Sequence, residues 1–230
     1  CGHDRGKLTS CQLGFGLAPR INAVGRLGNS DRGFKLLTTT DRNEAGRLAL
    51  ELDQENKFRQ GIEREILKEV FDKIDNEKLA ENHSGLVLYS DNWHPGVLGI
   101  VASRVVDRYY RPTIVMTEEN GVYKGSARSI PSFHLYNGLK ELSDMLISFG
   151  GHKYAAGLKI SKDKIKLLQT QFDALVKNSL SERDYIQEIT VDTFLEPKDL
   201  NDKFMQMLVS FEPYGHSNKE PIFCMRHVLL

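Results

Sequence analysis

The sequence predicts an α/β fold with a mixed sheet, preceded by a long helix and followed by a short β-containing tail. Three observations carry this. From Gly85 to Asn178, apolar runs of strand length alternate with segments of helical period; residues 41–82 contain no proline; and the polar stretch Ser179–Asp184 marks a second change of composition.

Residues 1–40 are glycine-rich, carry Pro19 and read as loop. Asp41, with Glu44 three residues on, has the form of a capping box. Leu48, Leu52, Phe58, Ile62, Ile66, Val70 and Ile74 then fall mainly at steps of four or six. One helix over 41–82 would run ~40 residues and ~60 Å, the form of a connecting rod. Gly46 and Gly61 mark where it could break, each costing about 1 kcal/mol relative to Ala. Beyond Gly85, Leu86–Tyr89 reads as a buried strand, Val97–Tyr110 as a helix, and Thr113–Thr117 and Gly121–Arg128 as two more strands. The turn Glu118-Glu119-Asn120-Gly121 joins the last two as a hairpin. Helices are expected at Leu135–Phe149 and Ser161–Asn178, with a strand at Ala156–Ile160 between them. In the tail, Tyr185–Phe194 reads as a strand, Pro197–Val209 as a helix and Pro221–Leu230 as a strand. The expected divisions are 1–40, 41–82, 83–180 and 181–230.

With 230 residues, 40% of them hydrophobic, the chain can bury a substantial core. Lys plus Arg equals Asp plus Glu at 31 each, so a nucleic-acid site must be a local patch and not a bulk basic surface. Cys1, Cys11 and Cys224 lack CxxC spacing, which argues against a zinc ribbon or a disulfide framework and for a reducing, cytoplasmic setting. No run approaches the length of a membrane span, and no signal-peptide pattern opens the chain. Both ends, Cys1 and the apolar Val228-Leu229-Leu230, look cut from something longer. His-Glu-x-x-His, paired aspartates at metal-ligand spacing, a Walker lysine loop and Gly-x-Ser-x-Gly are all absent, and His3-Asp4 is a bare dipeptide. A complete hydrolytic metal site is not visible.

Four blocks hold candidate chemistry. Gly150-Gly151-His152 precedes Lys153-Tyr154-Ala155-Ala156-Gly157, at an expected helix end. Glycines there either let the main chain approach an anion beside an imidazole, or merely stop the helix. Lys124-Gly125-Ser126-Ala127-Arg128-Ser129 puts Lys124, Ser126 and Arg128 on one strand face, two cations and a hydroxyl suited to phosphate oxygens. A solvated strand face is the alternative. His94, in Trp93-His94-Pro95-Gly96, follows a strand's carboxyl end, where α/β ligands gather, and Arg104 lies on the next helix as a second cation. His94 is equally readable as a loop histidine packed on the lone tryptophan. Arg20, Asn22 and Arg26 form a polar set in the glycine-containing loop, able to grip a phosphate or to cap the following helix.

Together these blocks resemble the RecJ family of single-stranded-DNA exonucleases, in the DHH phosphoesterase superfamily. Leu17–Leu27 is similar to the family's Pro-Arg-Ile-Asn-Ala-x-Gly-Arg block, Trp93–Arg104 to Trp-His-x-Gly-Val-x-Gly-Ile-Val-Ala-x-Arg, Gly125–Ser129 to Gly-Ser-x-Arg-Ser, and Gly150–Gly157 to Gly-Gly-His-x-x-Ala-x-Gly. Phe211–Pro221 resembles the Pro-Phe-Gly-x-Gly-Asn-x-x-Pro turn of the family's oligonucleotide-binding fold, with Tyr214 for Phe and Ser217 for Gly. The resemblance runs from about Leu13 to the last residue, with the blocks in order. It implies a linker helix, a DHH-associated domain and the start of an OB-fold. The family's first domain, which carries the Asp-His-His motif and holds catalytic Mn2+ or Mg2+, is absent. No catalytic residue and no metal ligand are then expected in this chain. Ser126, Arg128, Ser129, Gly150, Gly151 and His152 would hold the phosphate at or beside the scissile bond, and Arg20, Asn22, Arg26, His94 and Arg104 would line the same channel.

The implied function is the substrate-binding portion of a metal-dependent 5′ to 3′ exonuclease of DNA repair and recombination, inactive by itself. Its partner would be single-stranded DNA, with a single-strand-binding protein or helicase as further candidates, no membrane, and a monomeric state. The competing readings are a short-oligonucleotide phosphoesterase of the same superfamily and a non-catalytic interaction module. The nuclease reading requires the Gly-Gly-His turn and the Ser-Arg strand to converge on one anion pocket.

Overall fold

The structure, a computed structural model, describes residues 9–27, 30–215 and 217–226. Cys1, His3, Asp4, His216 and Val228-Leu229-Leu230 lie outside the described residues. The chain divides into two compact units: residues up to Asp53 together with those from Glu188 onward, and Gln54–Gln187.

The N-terminal stretch expected as loop is helical. A π-helical turn (Gln12–Leu17) leads into α1 (Ala18–Leu27), followed by α2 (Asp31–Thr38). Pro19 is not at a free helix start, since the helical run is continuous from Ser10; it stands where the winding changes from π to α, just after the Ala18 N–H bonds the Leu13 carbonyl. The long helix α3 (Arg42–Asn76) is capped by Asp41, whose Oδ1 accepts the N–H of Asn43 (2.8 Å) and of Glu44 (3.3 Å). Only half of the expected capping box forms. The Glu44 carboxylate instead accepts from Thr39 Oγ1 (2.6 Å) and pairs with Lys35 Nζ (2.7 Å), which together hold its pKa below the ordinary value. The helix passes Gly46 and Gly61 unbroken and ends at Asn76, because Lys78 turns left-handed (φ 51°) before the short α4 (Leu79–Asn82). It is therefore 35 residues long and stops short of Asn82.

The second unit is built on a five-stranded mixed sheet. Its strands are β1 (Leu86–Ser90), β2 (Thr113–Glu119), β3 (Val122–Arg128), β4 (Ser148–Gly151) and β5 (Ala155–Ile160), in spatial order β1-β2-β3-β5-β4. β1 and β2 are parallel, joined through a 3₁₀ turn (Pro95–Val97) and α5 (Leu98–Tyr109); all other pairs are antiparallel. Asn120 and Gly121, both at positive φ (55° and 83°), make the tight β2–β3 turn whose twist suits a hairpin. One sheet face is covered throughout by α6 (Leu135–Glu141) and α7 (Ile165–Ser179), with Tyr123, Ala127, Leu158, Ile160, Phe133 and Phe172 among its buried residues. On the other face, Leu86, Leu88 and Val115 pack beneath Leu98, Val101 and Val105 of α5 and Ile66, Val70 and Ile74 of α3.

The expected helix Leu135–Phe149 is half right. α6 stops at Glu141, a 3₁₀ turn follows at Ser143–Met145, and Ser148–Gly151 is strand β4. The Gly-Gly-His motif thus closes a strand, not a helix, and no helix N-terminus follows it. The decisive force is pairing with β5: Phe149 lies opposite Leu158 and Gly151 opposite Ala156. In the tail, Tyr185–Phe194 is not one strand. Tyr185 closes a 3₁₀ turn (Glu182–Tyr185) begun by a Ser181–Asp184 capping box, and only β6 (Thr193–Phe194) pairs, in parallel, with β7 (Phe223–Cys224). Ile186 and Ile189 between them are exposed, so no apolar face holds that segment extended. α8 (Asp202–Ser210) lies between β6 and β7, capped by the Asn201 side chain on Phe204 N–H (3.0 Å).

Candidate functional site

The strand register assembles the site. Residues paired across neighbouring strands share a face. Ser126 of β3 lies opposite Gly157 of β5, and Gly157 opposite Gly150 of β4. One step along, Arg128 lies opposite Ala155, whose carbonyl accepts the His152 N–H (2.8 Å) at the end of β4. The serine-arginine strand and the Gly-Gly-His segment are therefore brought together, with β5 between them, across two strand spacings or ~10 Å.

Among the described residues no helix covers this part of the face. Gly150, Gly157 and His152 are exposed, and a Cβ added at Gly150 would meet nothing within 4 Å. Arg128 and Ser126 lie against the first turn of α5. A Cβ at Gly99 would come within 2.9 Å of Arg128 Nη2 and 3.1 Å of Ser126 Oγ, so glycine is what lets the helix main chain approach them. That start of α5 adds its partial positive charge beside the guanidinium. Arg128 Nη1 donates to the Ala127 carbonyl (2.8 Å) and to Ser126 Oγ (3.2 Å), which fixes the guanidinium plane along the strand. Ser126 Oγ accepts there and keeps its own proton for an acceptor.

His152 Nδ1 accepts the N–H of Tyr154 (3.3 Å), which assigns the proton of a neutral ring to Nε2 and makes that nitrogen a donor. Gly151 has a structural reason to be glycine. Its φ of 150° is open to glycine alone, and a Cβ would fall 2.4 Å from the Ala155 carbonyl oxygen. Ser129 is committed elsewhere: its hydroxyl donates to Phe133 O (2.9 Å) and its N–H to Tyr154 O (3.1 Å), closing the turn after β3.

Of the other expected residues, His94 and Arg104 belong to the same unit as this cluster, and Arg20, Asn22 and Arg26 to the other. His94 caps the 3₁₀ turn before α5, its Nδ1 accepting the Gly96 N–H (3.1 Å), while Trp93 beside it is buried and donates Nε1–H to Glu69 (2.9 Å). The Trp93 carbonyl accepts from Thr117 Oγ1 (2.8 Å). Arg104 on α5 pairs with Asp107 (3.9 Å) and Glu63 (4.0 Å). Arg20, Asn22 and Arg26 belong to the first unit and lie on α1, not on a loop. Arg20 is held there by Asp53 (2.7 Å) and the Gly16 carbonyl (2.7 Å).

Gly99 and Gly157 stood inside the sequence blocks without being singled out, and the sequence reading missed Lys159 and Ser148. Lys159 and Ser148 continue the same exposed face one step beyond Gly157 and Gly150. The alternation along β5 was a legible signal for Lys159; Ser148 had none while its segment read as helix. Chemically the face is an anion cradle: a planar cationic fork, a hydroxyl, an imidazole donor and a side-chain-free floor. Among the described residues no three His, Cys, Asp or Glu side chains group as a metal site. The cationic donors of this face do not fit a divalent metal, and Glu119, on the same side of β2, is paired with Lys124 (3.2 Å).

Comparison with known proteins bears on this geometry. Residues 82–178 match the DHHA1 domain family and residues 191–230 the RecJ OB domain family. The single-stranded-DNA-specific exonuclease RecJ of Bacillus subtilis is 37% identical over 231 residues, covering 100% of this chain and 29% of that protein. The Escherichia coli protein of the same name is 38% identical, covering 96% of this chain and 39% of its own length. Thermus thermophilus RecJ in complex with Mn2+ superimposes with a TM-score of 0.85 at 32% identity, over 96% of this chain and 32% of that one. The chain thus spans about a third of the length of the relatives it matches.

Proposed function

The chain belongs to the RecJ family, as its DHHA1 and OB portion, and from that premise we propose that the uncovered sheet face binds the phosphates of single-stranded DNA for a metal-dependent exonuclease. The observation that carries it is the register. Ser126, Gly157 and Gly150 form one row on the open half of the face, with Arg128 and His152 at the next. Arg128 would take two oxygens of one phosphate, Ser126 and His152 Nε2 would donate to the others, and the glycine floor would let the sugar-phosphate chain lie against the sheet. Ser129 and Gly151 would support this by shaping the two strand ends.

The hydrolytic step belongs to the remaining two thirds of the RecJ length. Mg2+ and Mn2+ occur in solved relatives and would supply water activation there; this chain contributes substrate holding and is inactive alone. The reading extends to 5′ to 3′ direction, a role in DNA repair and recombination, a monomeric cytoplasmic protein, and a single-strand-binding protein or helicase as partner. Two observations are consistent with it: no described helix is long and apolar enough to cross a membrane, and the OB match favours a strand longer than a dinucleotide.

The test is fluorescence anisotropy with a labelled thymidine dodecanucleotide at about 50 mM and 200 mM KCl. Salt-sensitive binding, lost on Arg128→Ala, is expected, with no cleavage when Mn2+ is added. Equal binding by wild type and Arg128→Ala, or robust cleavage, would overturn the assignment.

A further inference from the structure

The open face does not end at the glycine row. The next residues facing the same way are Lys124 on β3, Lys159 on β5 and Ser148 on β4, and the pairing sets Lys124 opposite Lys159 and Lys159 opposite Ser148. Four residues along β3 separate Arg128 from Lys124, a distance of ~13 Å at ~3.3 Å per residue. That is about two steps between phosphates of an extended single strand. Lys159 and Ser148 are exposed, and Lys159 has no ion-pair partner among the described residues. Lys124 shares its charge with Glu119 at 3.2 Å, with both side chains partly in solvent. Between the Arg128 row and the lysine row lies only the Ser126–Gly157–Gly150 row, two of whose three members carry no side chain.

We propose that Lys124 and Lys159 form a second phosphate subsite, so that the face holds two alternate phosphates of a strand laid along β5. The phosphodiester between them then rests over Gly157 and Gly150. The two subsites differ in chemistry. At the first, the guanidinium fork demands one orientation of the phosphate; at the second, the ammonium groups act as mobile point charges and accept any. The ligand class follows: an oligonucleotide with at least three phosphodiesters, in preference to a mononucleotide. Lys159 contributes more than Lys124, because Glu119 already draws on Lys124.

The proposal rests on the phosphate-binding reading of this face, and its test separates the two. Affinity of the chain for a thymidine tetranucleotide is measured against KCl for wild type, Lys159→Gln, Lys159→Arg and Arg128→Ala, with thermal melting of each variant as a control for folding. Lys159→Gln should weaken binding about three- to ten-fold at low salt and flatten the slope of log K against log salt by about 0.7, the loss of one single-strand phosphate contact. Lys159→Arg should restore the slope. Thymidine 5′-monophosphate should bind wild type and Lys159→Gln alike. A wild-type slope in Lys159→Gln, with the slope reduced in Arg128→Ala, overturns the second subsite and leaves the first. An unchanged slope in Arg128→Ala overturns both.

Discussion

One row of residues crosses all five strands of the sheet: Leu88, Val115, Ser126, Gly157 and Gly150. Its two ends are opposites. Leu88 and Val115 are 1% and 0% exposed beneath α5 and α3, whereas Gly157 and Gly150 face solvent with no side chain at all. Every member of the row is paired to its neighbours, in parallel at β1–β2 and antiparallel elsewhere, so the difference in exposure comes from what lies above it. Each buried aliphatic at the sealed end is worth about 1.5–3 kcal/mol, while the bare end contributes little apolar burial on this side. Stability on this face therefore resides at one end of the row, and the capacity to hold an anion at the other. Ser126 and Arg128 stand at the boundary, touching the first turn of α5.

The largest effect should come from placing charge at the sealed end. Val115→Lys puts an unpaired ammonium among Leu88, Leu98 and Val101 and should lose more than about 4 kcal/mol, read as a collapse of the denaturation midpoint. A mild loss would mean that α5 does not seal this half. Next is Gly151→Ala, which meets the Ala155 carbonyl at 2.4 Å with a φ of 150°; a loss of about 2–4 kcal/mol in urea unfolding is expected. Gly150→Ala, its neighbour, meets nothing within 4 Å and should unfold within about 0.5 kcal/mol of wild type. Similar losses in the two variants would erase the contrast between them. Filling the bare end with Gly157→Val should likewise spare stability but weaken oligonucleotide binding about ten-fold, since the floor is lost; undiminished affinity would place the ligand elsewhere.

The smallest effect concerns acid. Asp91 accepts from the Tyr123 hydroxyl and from Lys162 (3.2 Å), and these bonds hold its pKa below the usual carboxylate range. A depressed folded-state pKa stabilises the fold above the unfolded pKa and loses that stabilisation as pH falls through the folded value. Asp91→Asn should therefore flatten the acid limb of thermal stability below about pH 4, while Gly157→Val leaves it as in wild type. An acid limb unaltered by Asp91→Asn would contradict this origin.

Much of the sheet was legible in the sequence because its strands are short apolar runs with punctuated ends. The β2–β3 hairpin follows from Asn120-Gly121 alone, and β3 and β5 from alternation. β4 was not, since Leu139, Leu142 and Leu146 continue a helical spacing into Phe149, and only pairing with β5 makes the last four residues a strand. Arg20 and Arg26 looked like loop residues because Gly14, Gly16 and Pro19 precede or flank them, yet the run is helical through all three, passing from π to α winding just before Pro19. Lys159 and Ser148 escaped for a different reason: which residues stand side by side across strands is a matter of register, and register has no local signature.

The central claim is that phosphate sits on the bare half of the row. Backbone amide chemical shifts of the chain, followed during titration with a thymidine tetranucleotide, test it most directly. Shifts concentrated at Gly99, Ser126, Gly150, His152 and Gly157 are predicted. Shifts absent there and confined to the cleft at the free edge of β1, lined by Lys73, His83, Lys166 and Lys177, would contradict it.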